Sequence, residues 1–335
     1  MISVIARSDR RERPGNLYCA RVVATVFALF LGAFLTFASA GAQSSHFSFQ
    51  QLPDRLEIKI CELPIATYVF HDPKILRPYF CSVHARNGTQ VTRNHPPVEG
   101  NDAMDHADLH PGIFLAFGDI SGADFWRNKG YVRHEKFIEE PKCDINTGTF
   151  AVSNVYESDG KTICREQCRY TIVYRPEGYF LLHDSEFFND EAEFIFGDQE
   201  EMGLGLRVAT PISVKKGGHI INADGLKDEA GAWGKPSLWC DYSGDIDGQQ
   251  VGITLMPHPD NFRPSWFHAR DYGLLVANPF GQNAFTEGQK SAVRVPKGER
   301  FRLRFGIFIY AAKETPNLTS VYDQYLKIAA PGTAN

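Results

Sequence analysis

Two histidines, several carboxylates and a tryptophan gather in one 25-residue segment of this chain, DAMDHADLHPGIFLAFGDISGADFW, residues 102–126. His106 and His110 are four residues apart, so one helical turn would place both rings on one face, as an acid/base pair or a metal site requires. Pro111 disfavours helix at His110, and a loop is the expected setting. Buried charges must be paired or coordinated. We therefore interpret the segment as a functional site, with hydrogen-bonded structural side chains as the alternative.

An acidic segment, FGDQEEMGLGLR, occupies residues 196–207. Asp198, Glu200 and Glu201 are close enough for charge repulsion to raise the pKa of one carboxyl group, which would suit a general acid. Glu201 and Arg207 both occupy odd positions and could share one face of a strand. A solvated acidic turn is the alternative.

A third polar segment, PHPDNFRPSWFHARD, spans residues 257–271. Trp266, His268 and Arg270 alternate, so one side of a strand would present all three. A guanidinium can bind a carboxylate or a diol through two parallel hydrogen bonds, and an indole can stack on the apolar face of a sugar ring. We interpret this strand as part of a ligand site, with packing in the core as the alternative.

A fourth cluster, WGKPSLWCDY over residues 233–242, contains Trp239 between Lys235 and Asp241. It could form the rim of an aromatic-lined cleft or a buried sheet edge. A serine hydrolase is not supported, because the chain has no Gly-x-Ser-x-Gly elbow.

The elements that would position these residues are mostly β-strands, separated by turns at intervals of about 8 to 12 residues, as in a sandwich or barrel. The predicted strands cover residues 56–70 (two strands), 79–84, 132–138, 150–156, 168–175, 179–188, 193–196, 204–210, 250–256, 273–277 and 301–310. Residues 224–236 are predicted to form a loop long enough to cover a site.

Only the end of the chain predicts a helix. Thr315 is a suitable N-cap with Pro316 at the first helical position. The apolar residues that follow fall on one stripe, namely Leu318, Val321, Tyr322, Tyr325 and Leu326. The predicted fold class is therefore all-β, a large antiparallel β-sandwich with one C-terminal helix.

A charge-free apolar run at residues 22–37 follows a basic segment and precedes the small residues Ala38-Ser39-Ala40-Gly41-Ala42. This order is typical of a secretory signal peptide. A bilayer-spanning helix needs about 20 apolar residues, so we favour cleavage over a membrane anchor. We expect a signal peptide at residues 1–42, a single β-sandwich domain at 43–330, no stable membrane span after cleavage, and a periplasmic or extracellular location.

The charge and the cysteine content indicate which partners, disulfides and metal sites to expect. A net charge of −5 and the lack of a basic run after the signal argue against nucleic-acid binding. Six cysteines remain after the signal, and one or two disulfides are expected in an oxidising compartment. A Cys164–Cys168 disulfide is not expected, because one strand would hold these residues about 13 Å apart. A metal site at this pair is not favoured either, since no second pair accompanies it.

Three strings carry a resemblance to a known family: DHADLHPGIFLAFGDISGADFWRNKG (105–130), FGDQEEMGLGLRVATP (196–211) and RPSWFHARDYGLLVANPFG (263–281). The chain resembles a bacterial family of unknown function that carries the label PmoA, "methane oxygenase", over residues 56–310. That label describes a protein with repeated membrane spans, whereas this chain has one removable apolar run. The resemblance implies a secreted all-β protein akin to the supersandwich of galactose mutarotases and carbohydrate lyases.

We therefore expect a carbohydrate-active enzyme, a glycoside hydrolase, lyase or epimerase, with acid/base chemistry in an aromatic-lined cleft. The residues assigned to catalysis are His106, His110, Glu201 and His268, and those assigned to substrate binding are Trp126, Arg207, Trp239, Trp266 and Arg270. The expected partner is a carbohydrate, and neither a cofactor nor a metal is predicted. The alternatives are a non-catalytic carbohydrate-binding or cell-surface module, and a metalloprotein that uses Asp105, His106 and His110.

Overall fold

Alternation of apolar and polar side chains builds the strands of this protein. In RLEIKI, Leu56, Ile58 and Ile60 are buried while the residues between them are partly exposed. The computed structural model describes residues 45–330, and the predicted signal peptide lies outside the described residues. Within the described range the strands pair antiparallel into two sheets of eight strands each, with a smaller pair of strands beside them.

The first sheet contains the elements closest to the candidate site. In spatial order its strands are β1 (Phe47–Gln51), β2 (Arg55–Ile60), β3 (Leu63–Val69), β4 (Tyr79–Cys81), β5 (Ile113–Phe117), β11 (Met202–Arg207), β16 (Leu274–Asn278) and β15 (Trp266–Arg270). Strands far apart in the chain are neighbours here, so residues from three distant segments share one surface.

The second sheet is formed mainly by long hairpins. In spatial order its strands are β12 (His219–Asn222), β13 (Cys240–Ile246), β14 (Gln249–Pro257), β18 (Arg300–Ala312), β9 (Gly178–Phe188), β8 (Lys161–Arg175), β7 (Thr147–Ser158) and β6 (Tyr131–Cys143). The smaller pair consists of β10 (Phe194–Phe196) and β17 (Val293–Val295). The prediction of a large antiparallel β-sandwich is confirmed.

The main core lies between the two large sheets. Inward-facing residues of β2, β11 and β18 meet there, and aromatic rings such as Phe117, Phe196 and Phe280 contact one another at its centre. The outward faces of the two sheets differ, because a helix covers the second sheet whereas loops cover part of the first.

That helix, α3 (Leu318–Ala329), packs on the outer face of the second sheet. Its predicted apolar stripe is confirmed, with four buried members and Leu326 partly buried. The predicted cap is wrong by two residues. Asn317 is the N-cap, since its side chain accepts a hydrogen bond from the Ser320 N–H at 3.0 Å.

Two further expectations need correction. The segment predicted as a loop over residues 224–236 contains a short helix, α1 (Asp228–Ala232), and a second short helix, α2 (Gln282–Thr286), follows β16.

All six cysteines among the described residues are free, so the expected disulfides do not form. Four of these cysteines are buried, and the other two are exposed, Cys61 in the turn between β2 and β3 and Cys143 at the end of β6. No helix among residues 45–330 is long and apolar enough to cross a membrane.

Tyr325→Ala is expected to loosen α3 from the second sheet. The Tyr325 ring is buried against Gly306, where an added Cβ would lie 2.5 Å from Cδ2 of the ring. Loss of a buried aromatic side chain should lower the free energy of unfolding by about 3–5 kcal/mol. Urea unfolding measures this change. Asp323→Ala, at an exposed position of the same helix, is the control and should change it by less than about 0.5 kcal/mol; equal effects would contradict the packing.

Candidate functional site

The three polar segments meet on the outer face of the first sheet. One row across the sheet pairs Arg270 with Leu274 and Leu274 with Arg207. The next row runs from His268 through Val276 and Gly205 to Phe114. Gly205 carries no side chain, and an added Cβ would lie 2.9 Å from Cζ of Phe114. The Phe114 ring can therefore lie over the strand and support the histidine loop above it.

Arg207 connects this face to the histidine loop. Its side chain is 1% exposed, and its Nη1 and Nη2 atoms donate to the two carboxylate oxygens of Asp105 at 2.8 and 2.9 Å. Burial raises the pKa of Asp105, but the hydrogen bonds from Arg207 and His106 outweigh burial and leave it lowered. Asp105 therefore stays ionised. Arg207 was predicted to bind substrate, but its position makes it a support for Asp105.

His106 is the most accessible histidine of the loop. Its side chain is 45% exposed, and its Nδ1 atom lies 2.9 Å from Oδ2 of Asp105. The ring stacks on His110 on one side, at a centroid distance of 4.9 Å, and on Tyr272 at 5.7 Å. Its φ angle is +51°, a conformation that costs free energy for a non-glycine residue. Asp105 and two rings thus fix an imidazole whose edge reaches solvent.

His110 has a different environment. It is buried between His106 and Phe114, and its Nδ1 atom has no hydrogen-bond partner. Burial, followed by the charge of Arg207, lowers its pKa well below the usual value. The segment is a loop, as expected, and one hydrogen bond within it, from the His110 N–H to the His106 carbonyl at 3.0 Å, brings the two rings together. His110 supports the stack and offers no accessible nitrogen for proton transfer.

Two more buried arginines hold the backbone of this loop. Arg93 donates from both Nη atoms to four loop carbonyls, those of Ala103, Asp105, His106 and His110. Arg77 donates to the carbonyls of Leu109 and Trp126. These hydrogen bonds to charged donors fix the loop without a helix or a strand.

The three carboxylates of the acidic segment lie just before β11. Glu201 pairs with Arg127, whose Nη2 atom lies 2.9 Å from Oε2. Glu200 accepts a hydrogen bond from Nη2 of Arg270 at 2.9 Å. Burial raises the pKa of Glu200, Arg270 opposes this, and Glu201 adds to the rise, so the net shift is upward. One carboxyl of this cluster, that of Glu200, therefore has the raised pKa that was expected, but burial and not charge repulsion is the largest cause.

Asp198, the third acid of that cluster, has a structural role. Its carboxylate accepts three backbone N–H groups, those of Asn283, Ala284 and Ser291, at 2.7 to 3.1 Å. It therefore holds α2 and the chain after it.

His268 lies beneath these charges and is 4% exposed. Its Nδ1 atom faces the Glu200 carbonyl at 3.3 Å, and its Nε2 atom accepts from Nε of Arg270 at 2.8 Å. Both ring nitrogens are therefore occupied. Burial, followed by the charge of Arg270, lowers the pKa of His268 to about 4. His268 orients Arg270, whose other donor binds Glu229 at 2.8 Å.

The three tryptophans that were predicted to bind substrate fall into two groups. Trp126 is 1% exposed against Phe114 and His110, and Trp239 is buried on the second sheet near α3. Neither offers an indole face to a sugar, so the stacking role expected of them is not supported. Trp266 is partly exposed at the end of β15 and stacks on Phe285.

Sequence reasoning assigned no catalytic or substrate-binding role to four residues of this surface. Asp105 was named only as an alternative metal ligand and Glu200 only within the acidic cluster, and Trp233 and Tyr272 were given no role. Trp233 is partly exposed, its ring meets Phe285 edge-on, and the guanidinium of Arg270 lies 5.7 Å from its centroid. Tyr272 lies between the loop and the sheet, under the guanidinium of Arg207 at 4.6 Å. Asp105 could have been selected as the partner of His106 from the sequence, because the two residues are adjacent.

The alternative metal site at the histidine loop has few free ligand atoms. Asp105 already uses both carboxylate oxygens for Arg207, and one of them also faces His106. Burial separates His110 from solvent. The geometry therefore favours an ion-paired acid/base site over metal coordination here.

Lowering the pH is expected to destabilise the fold partly through His268. An imidazole titrates near pH 6.5 in an unfolded chain, whereas His268 titrates at about 4 in the fold. The unfolded state binds more protons between these values, so the free energy of unfolding falls as the pH drops through this window. His268→Gln should remove about 2 kcal/mol of the loss between pH 7 and pH 5, measured by urea unfolding at both pH values.

His71→Gln, at an exposed position, is the matched control and should keep the wild-type pH dependence. If His268→Gln also kept it in full, His268 would not be the neutral group that this geometry requires.

No curated protein matches the chain. Among solved structures, it is similar to a 4-alpha-glucanotransferase from Thermococcus litoralis, with 8% identity, a TM-score of 0.34, and coverage of 80% of this chain and 39% of that chain. It is also similar to a galactose mutarotase-like protein from Lactobacillus casei, with 8% identity, a TM-score of 0.35, and coverage of 79% and 100%.

A galactose mutarotase related enzyme from Lactobacillus acidophilus gives 9% identity, a TM-score of 0.32, and coverage of 80% and 98%. Values this low carry no information on activity. A family model, described as a family of unknown function (DUF6807), matches residues 55–320, which include both large sheets' central strands and every residue of the candidate site. The chain belongs to this family.

Proposed function

We propose that this protein is a carbohydrate-active enzyme that transfers protons on the outer face of the first sheet. The observation that carries the proposal is the pair Asp105–His106. An ionised carboxylate, itself fixed by a buried guanidinium, lies 2.9 Å from Nδ1 of a solvent-accessible imidazole. A carboxylate accepts a hydrogen bond, so Nδ1 carries the proton and Nε2 is left as the base.

Glu200 replaces Glu201 in the proposal as the acidic residue that contacts the ligand, beside Arg270. Burial raises the pKa of its carboxyl group, so this carboxyl is protonated more readily than that of an ordinary glutamate. Phe114, which supports the histidine stack, and His268, which lies 3.5 Å from Glu200, belong to one row of four strands. Their Cα atoms are therefore about 14 Å apart at the usual strand spacing. That span is longer than one sugar ring, so Glu200 would contact a part of the ligand away from the bond at which His106 acts.

The aromatic patch formed by Trp233, Trp266 and Phe285 supports sugar as the ligand class. Two of its rings are partly exposed indoles, and Arg270 lies beside them. Apolar ring faces next to a guanidinium match the mixed apolar and hydroxyl surface of a sugar or a uronate.

The ion pairs favour epimerisation or elimination over hydrolysis. Hydrolysis by two carboxyl groups needs one acid and one free carboxylate on either side of the bond. Glu200, Glu201 and Asp105 are each bound to an arginine, whereas His106 has an imidazole edge open to solvent. Proton abstraction next to a carbonyl or at an anomeric hydroxyl needs one such base.

The proposal is tested by supplying the protein with a panel of neutral and uronate-containing mono- and oligosaccharides in deuterated water. Nuclear magnetic resonance detects deuterium incorporation and anomeric exchange, ultraviolet absorption detects elimination, and a reducing-end assay detects hydrolysis. His106→Gln should lower the rate by about 10²–10⁴-fold, because it removes the base, with little change in ligand binding. Asp105→Asn should lower it as well by releasing the imidazole.

His71→Gln is the control, since this exposed histidine lies outside the site. Turnover that survives His106→Gln would contradict the assigned base. Absence of any reaction in the wild-type protein together with sugar binding would contradict the enzyme proposal and leave a binding module.

A carbohydrate-binding module is the second candidate, and the aromatic patch specifically favours it. A binding surface needs accessible rings and no acid/base pair. Trp266→Ala should then abolish binding measured by calorimetry, while His106→Gln leaves it unchanged.

Export belongs to the same proposal and rests on the sequence of residues 1–42. Expressed with its own N-terminal segment in a Gram-negative host, the protein should be recovered from the periplasm without about the first 40 residues. Mass spectrometry of the intact protein measures the new N-terminus. Recovery of the uncleaved chain in the membrane fraction would indicate an anchor instead.

A further inference from the structure

Three potential metal ligands meet inside the sandwich, on the inner face of the second sheet. Glu166 and Cys168 are two residues apart on β8, and His183 lies on the neighbouring strand β9, where it is paired with Tyr170. All three are buried, and their ligand atoms lie within 4.8 Å of one another. From this arrangement we propose that the three residues bind one zinc ion.

The spacing of the donor atoms agrees with zinc geometry. The Cys168 Sγ and His183 Nε2 atoms are 3.5 Å apart. A tetrahedral zinc ion with bonds of about 2.3 Å to sulfur and about 2.0 Å to nitrogen holds those two atoms about 3.5 Å apart. The two atoms are therefore already at the separation that a shared zinc ion requires, and Glu166 would supply the third ligand.

The surrounding hydrogen bonds orient the donors towards one another. Glu166 accepts from Asn154 Nδ2 at 2.9 Å and from Ser185 Oγ at 2.5 Å. Ser185 Oγ also lies 3.4 Å from Nδ1 of His183, on the side of the ring away from Cys168. Partners of this kind around a metal ligand fix its rotamer and, for histidine, the nitrogen that faces the ion.

Space for a fourth ligand lies beside this group. A cavity of about 20 Å³ is lined by Glu166, His183 and Asn154 among others, which is enough for one water molecule. Asn154 is 2% exposed, and its Nδ2 atom, which donates to Glu166, faces the ligand group. A water in the cavity can complete four-coordination.

Charge balance favours a divalent ion. One thiolate, one carboxylate and one neutral imidazole carry two negative charges, so a bound Zn²⁺ leaves the site neutral within an apolar core. Mixed sulfur, nitrogen and oxygen donors suit zinc better than calcium or magnesium, which prefer oxygen. With every ligand from the protein buried, such an ion would contribute to stability and not to catalysis at the outer face.

The test uses the full chain produced in zinc-supplemented culture. Elemental analysis should give about one zinc per chain for the wild-type protein and less than a tenth of that for Cys168→Ser and His183→Gln. After the metal is removed by a chelator during unfolding, refolding with Co²⁺ should give the ultraviolet absorption of a cobalt–thiolate bond. That absorption should be lost in Cys168→Ser.

Cys240→Ser is the matched control, because Cys240 is equally buried on the second sheet but lies outside the ligand group. It should retain zinc, and so should His106→Gln, which separates this site from the proposed catalytic one. If Cys168→Ser fails to fold, Glu166→Gln should still weaken zinc binding tenfold or more, as read by competition with a chelator. A wild-type protein without zinc and without a cobalt spectrum overturns the proposal, as does zinc retained by both ligand variants.

Discussion

The hydrogen-bonded ion pair of Arg207 and Asp105 joins the histidine loop to the sheet, and the geometry of the candidate site depends on it. Arg207 lies on β11 with its side chain 1% exposed, so its charge would be costly without a partner. Asp105 satisfies that charge and at the same time orients His106. Arg93 and Arg77 hold the remaining loop backbone. Three cationic side chains thus replace the regular secondary structure that this loop lacks.

Most strands could be predicted because alternation is a local property of the sequence. The predicted strands at residues 179–188 and 301–310 agree closely with β9 and β18. The short helices α1 and α2 could not be predicted in this way. Neither has a side-chain cap, and distant carboxylates hold them instead, as Asp198 does for α2. Tertiary contacts decide such elements, and the sequence gives no local signal for them.

In the candidate site, too, the features that depend on neighbouring residues in the sequence could be predicted, whereas those that depend on tertiary packing could not. Residue types identified the three segments, but not which member of each faces solvent. Glu201 was selected because it and Arg207 both occupy odd positions, which would place them on one face of a strand. However, β11 begins at Met202, so the alternation of side chains between the two faces of the strand does not extend to Glu200 or Glu201. Trp239 and Trp233 are six residues apart in the chain and lie in different surroundings, one beneath α3 and one beside Arg270. Only the packing of the sheets separates them.

The column of rings above Phe114 has a spectroscopic consequence. His106 lies between the rings of His110 and Tyr272, which are nearly parallel to it at 21° and 17°. Ring currents from both neighbours shield its carbon-bound protons, so their resonances move upfield from those of solvent-exposed imidazoles. His110, between His106 and Phe114, and His46, on Tyr174, are stacked as well, so the shielded resonances come from a small group among the eleven histidines. Loss of one set of these resonances in His106→Gln identifies the imidazole held by Asp105.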